Sequence, residues 1–182
     1  MIVFPDNTAL VNFASIGRMD LLAQLVGTKG MWCLTVSEEC DKSAKEPGLA
    51  DLCQAHDIFG EPLVPEEQKE HLAVQRYRHM LRTAGQPVDQ SKNMGEAETL
   101  ALIECRGIRA IFVTDDGSVA DVAPHNDPQV VGTWIMLRAA HRAGFASADE
   151  LWGYSRTLHA AGRHTPPTGP FDRGAFNDWL KG

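Results

Sequence analysis

The sequence predicts an α/β protein whose short parallel strands are covered by helices on both faces. Brief apolar runs at 1–4, 31–36, 109–113 and 129–131 read as strands. Segments with helical spacing of apolar residues separate them, and that alternation favours a parallel sheet. The first and third runs end directly in acids, Asp6 and the pair Asp115-Asp116. Ligands of such sheets gather beyond the carboxyl ends of the strands, which is where these acids belong.

The elements follow in order. "MIVF" ends at Pro5-Asp6, and from Thr8 the spacing of Leu10, Phe13, Ala14 and Ile16 is helical, with Asp6, Asn7 or Thr8 available as N-cap. Gly17 breaks that helix, and a second runs from Met19 to Val26. "MWCLTV" is expected to restore a strand, and Ser37 to cap the helix of "SEECDKSAKEPG". Two helical stretches, at 49–58 and 66–83, precede a loop, "AGQPVDQSKN". "MGEAETLALIECRGI" is a helix, "RAIFV" a strand, "SVADVAP" a short helix and "QVV" a short strand. "GTWIMLRAAHRAG" and "SADELWGYSRTLHAAG" are helices, the latter opened by a capping box of Ser147 and Glu150. The proline-broken tail carries Phe171, Phe176, Trp179 and Leu180, which either pack back on the domain or bind a partner.

Composition bounds the function. A chain of 182 residues, 43% hydrophobic, can bury one good core. A formal net charge of −7 opposes a surface that grips phosphate everywhere, so contact with nucleic acid must be local and assisted by cations. Cys33, Cys40, Cys53 and Cys105 form no CxxC pair and read as reduced thiols of a cytosolic protein. A zinc site from Cys33, Cys40, Cys53 and His56 is disfavoured by its irregular spacing. No run approaches the roughly 18 to 20 apolar residues that cross a bilayer, and no basic leader precedes an apolar one, so the protein is expected in the cytoplasm, away from membranes.

Asp6, Glu39, Glu96 and Asp115-Asp116 carry the chemistry. Converging carboxylates repel one another and rise in pKa unless a cation neutralises them, and hard divalent ions suit them. Magnesium takes one or two carboxylates and keeps waters, leaving room for phosphate oxygens. Each acid also has a plainer role: Asp6 as a cap, Glu39 and Glu96 as first-turn acids, Asp115-Asp116-Gly117 as a turn. Glu98, two positions after Glu96, points roughly 200° away and is expected in solvent or in a supporting role. Glu39 shares a helix side with Val36 and is preferred to Glu38.

In their order, "IVFPDNTALVNFASIGRMDLL", "VSEEC", "GEAETLALI", "FVTDDGSVADVA" and "VVGTWIMLRAA" resemble the PIN domain family of metal-dependent ribonucleases, over about 1–148. That resemblance implies a three-layer sandwich, a central parallel sheet of about four or five strands flanked by helices, with a helical insertion near 60–93 and a C-terminal extension, 149–182, packed on the domain. It implies that Asp6, Glu39, Glu96 and Asp116 form the catalytic, metal-binding cluster for Mg2+ or Mn2+, with Asp115 as an additional or substitute ligand. Thr114 and Asn7 or Thr8 match supporting polar positions, and Asp121 stands where this branch often carries a basic residue. The implied reaction is in-line hydrolysis of RNA by water, giving a 5′-phosphate and a 3′-hydroxyl. An antitoxin partner and a homodimer follow from the same resemblance.

Substrate contacts are expected on "QRYRHMLR", from Arg76, Arg78 and Arg82 with His79 and Tyr77, although a solvated helix face explains those charges too. Two other readings compete: a PIN-like nucleic-acid or protein binding module without catalysis, and a phosphoaspartyl-type phosphohydrolase. The latter wants a second acid two residues after the first, where this chain has Thr8.

Overall fold

The structure, a computed structural model, describes residues 1–82, 93–123, 127–163 and 172–182. The expected loop at 84–93 lies outside them except for Asn93, as does Phe171 of the tail. Three strands, β1 (Ile2–Pro5), β2 (Ala110–Val113) and β3 (Gln129–Val131), pair in parallel in the order β1-β2-β3. Their register sets Pro5 beside Val113 and Val113 beside Val131, so the strands finish level. The Asp6 N–H donates to Val113 O (2.8 Å) and the Thr114 N–H to Val131 O (2.9 Å), which carries the alignment one residue past the sheet.

The side chains alternate across the sheet as period two demands. Val3, Val113 and Val131 face one helical layer; Phe4, Phe112 and Val130 face the other. The first layer contains α1 (Asn7–Ser15), α2 (Met19–Val26), α3 (Leu34–Ser43), a 3-10 turn (Ala50–Gln54) and α4 (Ala55–Phe59). It is completed by α8 (Thr133–Arg142), α9 (Ala148–Ala160) and α10 (Arg173–Lys181). The second layer contains α5 (Gln68–Met80), α6 (Met94–Arg106) and α7 (Gly117–Val122). Helices therefore cover both faces, as expected.

The sheet has three strands among the described residues rather than four or five. "MWCLTV" is the expected strand that does not form. Its lead-in lies along β1, where the Val3 N–H donates to Lys29 O (2.8 Å) and the Met31 N–H to Val3 O (3.0 Å). Pairing with β1 ends there, a single bridge joins Cys33 to Leu63, and the chain turns into α3 at Leu34, three residues before the expected Ser37 cap, which instead is buried inside the helix. A cap from far away meets that start: the Glu98 carboxylate accepts the Thr35 hydroxyl and, at 3.1 Å, the Leu34 N–H, which it shares with Leu63 O (2.9 Å). A carboxylate at the first turn favours a helix there despite the β-branched residues of the segment.

Within the insertion, α5 runs antiparallel to α6. At one end Arg106 Nε donates to Glu70 Oε1 (2.7 Å), and at the other Asn93 Nδ2 donates to Leu81 O (2.9 Å). The Arg106 guanidinium and the Glu66 and Glu67 N–H groups hold the Glu70 carboxyl down at about 2, so this tie persists through mild acid. The tail question resolves toward packing: Phe176, Trp179 and Leu180 are buried, with Trp179 edge-on to Trp134 (6.0 Å between centroids) and Phe176 against Trp152 (5.2 Å). Among the described residues no helix is long and apolar enough to cross a membrane.

Candidate functional site

Asp6 caps α1. It is 2% exposed, accepts the Thr8 N–H (3.3 Å) and hydroxyl, and meets the Thr114 hydroxyl at 3.4 Å. Burial raises its pKa against the pull of those hydrogen bonds. Thr114 ties the two strand ends together, because its hydroxyl also accepts the Asp116 N–H (3.1 Å). Asp116 in turn caps α7, its Oδ1 accepting the Ser118 N–H at 2.8 Å. The plain capping role and membership of the acidic group are thus both true of Asp6 and Asp116.

Glu39 and Glu96 arrive from helices. Gly95 lets α3 and α6 meet here: a Cβ on it would sit 2.9 Å from Val36 Cγ2 and 3.4 Å from Glu39 Oε2. The Glu39 carboxyl is pushed up to about 7 by desolvation, then by the charges of Asp6 and Glu98, with Lys42 opposing. Desolvation also lifts Glu96 to about 7, and Asp6, Glu39 and Asp116 add to it. Four segments remote in sequence therefore place Asp6, Glu39, Glu96 and Asp116 within one electrostatic neighbourhood, and Glu38 is exposed as expected. No ion pair ends on any of these four acids among the described residues.

Asp115 has a different occupation. Its Oδ1 accepts the Thr133 N–H at the start of α8 (2.8 Å), and its Oδ2 accepts from Asn12 Nδ2 (2.7 Å) and the Thr133 hydroxyl. Gly132 makes room for that grip, since a Cβ there would lie 2.7 Å from Asp115 Oδ1. These bonds anchor α8 and α1 to the turn, and Asp116 is the member of the pair that acts on Glu96.

Sequence reasoning missed Asn12, Thr133 and the depth of Glu98. A lone buried asparagine within an apolar helix was the available signal for Asn12, since such a group needs a polar partner. Glu98 does point away from Glu96, but it is 5% exposed and spent on the α3 N-terminus rather than left in solvent. Glu98→Ala is expected to cost roughly 1–2 kcal/mol, because it takes the charged acceptor away from the Thr35 hydroxyl, while the Leu34 N–H keeps its bond to Leu63 O (2.9 Å). A urea melt reads this as a lower midpoint at constant slope; an unchanged midpoint would remove Glu98 as the origin of α3.

The expected substrate arginines divide. Arg76 is bound to Glu104, which also accepts the Tyr77 hydroxyl (2.7 Å). Glu104 lies eight residues beyond Glu96 on α6, so about 12 Å of helix separates that pair from the acids. Arg78 is half-buried in α5, whereas exposed Arg82 follows α5 beside the start of α6. Of the thiols set aside as zinc ligands, Cys33 meets Gly95 O (3.6 Å), Cys40 meets Leu52 O (3.7 Å) and Cys53 is exposed, while His56 pairs with Asp41. Among the described residues no three His, Cys, Asp or Glu side chains are already arranged to grip a metal ion.

A cleft of about 400 Å³ opens beside the acids, walled by Thr8, Asn12, Asp115, Asp116 and Arg163. On the other side of the Asp115-Asp116 turn lies a second cleft of about 330 Å³, lined by Ala120, Val130, Val131 and Ile135. No protein-family model matches the chain. Neither the curated proteins nor the solved structures contain a chain that matches it.

Proposed function

We propose that this protein is a metal-dependent endoribonuclease of the PIN type, hydrolysing RNA phosphodiester bonds at the carboxyl end of its sheet. The observation that carries the reading is the convergence of Asp6, Glu39, Glu96 and Asp116, where desolvation first and the neighbouring negative charges second raise Glu39 and Glu96 to about 7. Buried and half-buried carboxylates kept together with no ion pair among the described residues are a poor choice for stability and a good one for binding a cation. The donors are hard oxygens, which suit Mg2+ or Mn2+. Among the described residues no three groups are arranged for direct ligation, so one or two carboxylates would hold such an ion directly and the others through water, the common manner for magnesium. A bound divalent ion supplies charge neutralisation at the phosphate and a more acidic water.

The chain's own residues do the rest. Thr8 and Thr114 fix the Asp6 carboxylate, and the end of β1 fixes its backbone, so no loop has to be ordered when ligand arrives. Glu39 and Glu96 hold protons near neutral pH, so a cation taken up there displaces protons into solvent. Asp115 keeps α8 and the Asp116 turn in place. A toxin role with an antitoxin partner, and a homodimer, belong to this proposal through the sequence resemblance only.

Incubation of the purified chain with mixed RNA tests the reading: cleavage is expected with Mn2+ and none with EDTA, in products ending in 5′-phosphate. A second reading, binding of nucleic acid without hydrolysis, draws on Asp121, which stands where the family branch often carries a basic residue. Retention of intact RNA in every divalent ion tried would select it.

A further inference from the structure

The C-terminal extension brings a positive charge to the Asp115-Asp116 side of the acidic end of the sheet. α9 closes with a Schellman turn, in which the Gly162 N–H donates to His159 O (3.0 Å) and the Arg163 N–H to Leu158 O (2.9 Å). Gly162 has φ +69°, the left-handed conformation that such a turn requires and that glycine adopts without strain. This reversal brings Arg163 to the wall of the cleft of about 400 Å³ that Asp115 and Asp116 also line. The Arg163 guanidinium has no hydrogen-bond or ion-pair partner among the described residues, although two aspartates border the same space.

Arg156 lies seven residues earlier, about two turns back along α9. It is exposed, likewise without a partner among the described residues, and with Thr157 and His159 it lines an open depression of about 580 Å³. Helical spacing puts Arg156, Thr157 and Ala160 on one face, which leads toward the Arg163 end of the helix. An arginine left without a carboxylate presents its planar donors for a phosphate. In a chain of net charge −7, a local line of such cations is what a polyanion needs in order to approach buried acids.

We propose that Arg156 and Arg163 form the track that guides single-stranded RNA along α9 into the acidic cleft, Arg163 holding a phosphate at its mouth. The cleft's volume lies in the range of small-ligand sites and admits one nucleotide. This assignment rests on the ribonuclease reading for its ligand. It also moves the substrate path away from α5, where Arg76 is spent on Glu104.

The test is fluorescence anisotropy of a labelled twelve-nucleotide oligouridylate with the full chain, in Ca2+ to neutralise the acids, across a salt series. Arg156→Ala/Arg163→Ala is expected to weaken binding about tenfold and to reduce the log–log salt slope by about 1.4, the loss of two phosphate contacts to a single strand. Arg163→Lys in the Arg156 parent should recover most of the affinity, and Arg76→Ala should stay within about twofold of the parent. Parental affinity and slope in the double variant, equal weakening by Arg76→Ala, or no binding by the parent would each overturn the track. Hydrolysis is read separately in Mn2+. A parent that binds through these arginines and never cuts keeps the track and loses the nuclease. One that cuts, with a double variant that binds and cuts equally well, does the reverse.

Discussion

Asp6→Asn and Asp116→Asn are each expected to lower Mn2+-dependent RNA cleavage at least about a hundredfold while the fold stays intact. Both residues cap helices, accepting N–H groups of Thr8 and Ser118. Asparagine caps about as well as aspartate, so the substitution removes charge and keeps the cap. Loss of a mere supporting contact at a metal site costs about ten- to a hundredfold, and loss of a direct ligand costs at least as much. The measurement is initial cleavage rate against Mn2+ concentration, with the thermal midpoint as the control for folding. Full activity in both variants would place the chemistry elsewhere or in a contaminant. A collapse of the thermal midpoint would show that the acids serve the fold alone.

The second large effect is on stability and its dependence on pH. Glu96 carries a folded pKa of about 7 against an ordinary 4.5, with desolvation as the first cause and Asp6 as the second. Between those values the folded chain binds more protons than the unfolded one, so stability falls as pH rises through that window. Without metal the protein should therefore melt higher at pH 5 than at pH 8. Glu96→Gln should gain at pH 8 roughly 1–2 kcal/mol, reduced for solvent screening at a partly exposed site, and almost nothing at pH 5. That gain corresponds to a rise of about 3–6 °C in thermal midpoint. Adding Mg2+ or Mn2+ at pH 8 should produce a similar rise in the parent and a smaller one in Glu96→Gln. A parent equally stable at both pH values in EDTA would show that Glu96 is neither desolvated nor crowded by the other acids.

Period and punctuation made much of this architecture legible. α2 begins at Met19 and ends at Val26, as its leucine stripe and following glycine indicate, and the Ser147–Glu150 capping box opens α9. Asp6 at the end of β1 follows from a short apolar run meeting Pro and Asp. "MWCLTV" went the other way, since its β-branched and aromatic residues favour a strand and nothing nearby in sequence announces the Glu98 carboxylate at the α3 N-terminus. Tertiary context overrode local preference there.

The acids show the same division. Spacing ranked Glu39 above Glu38 and turned Glu98 away from Glu96, because helix periodicity is a property of the chain itself. It left Asp115 and Asp116 level, and the structure separates them through hydrogen bonds to Asn12 and Thr133, partners more than a hundred and about twenty residues away. Arg163 was hidden for the same reason, as a glycine marks where α9 stops without saying what the next side chain will face.

By itself the sequence determined most of the strand and helix segments, the acids at strand ends and helix starts, and the spacing of side chains around each helix, all consequences of backbone geometry over a few residues. Only the tertiary structure decided that the sheet stops at three strands, that α3 is capped from α6, and that one aspartate of the pair holds the fold while the other faces Glu96. Those outcomes depend on which buried polar group finds a partner, and the partners lie far along the chain.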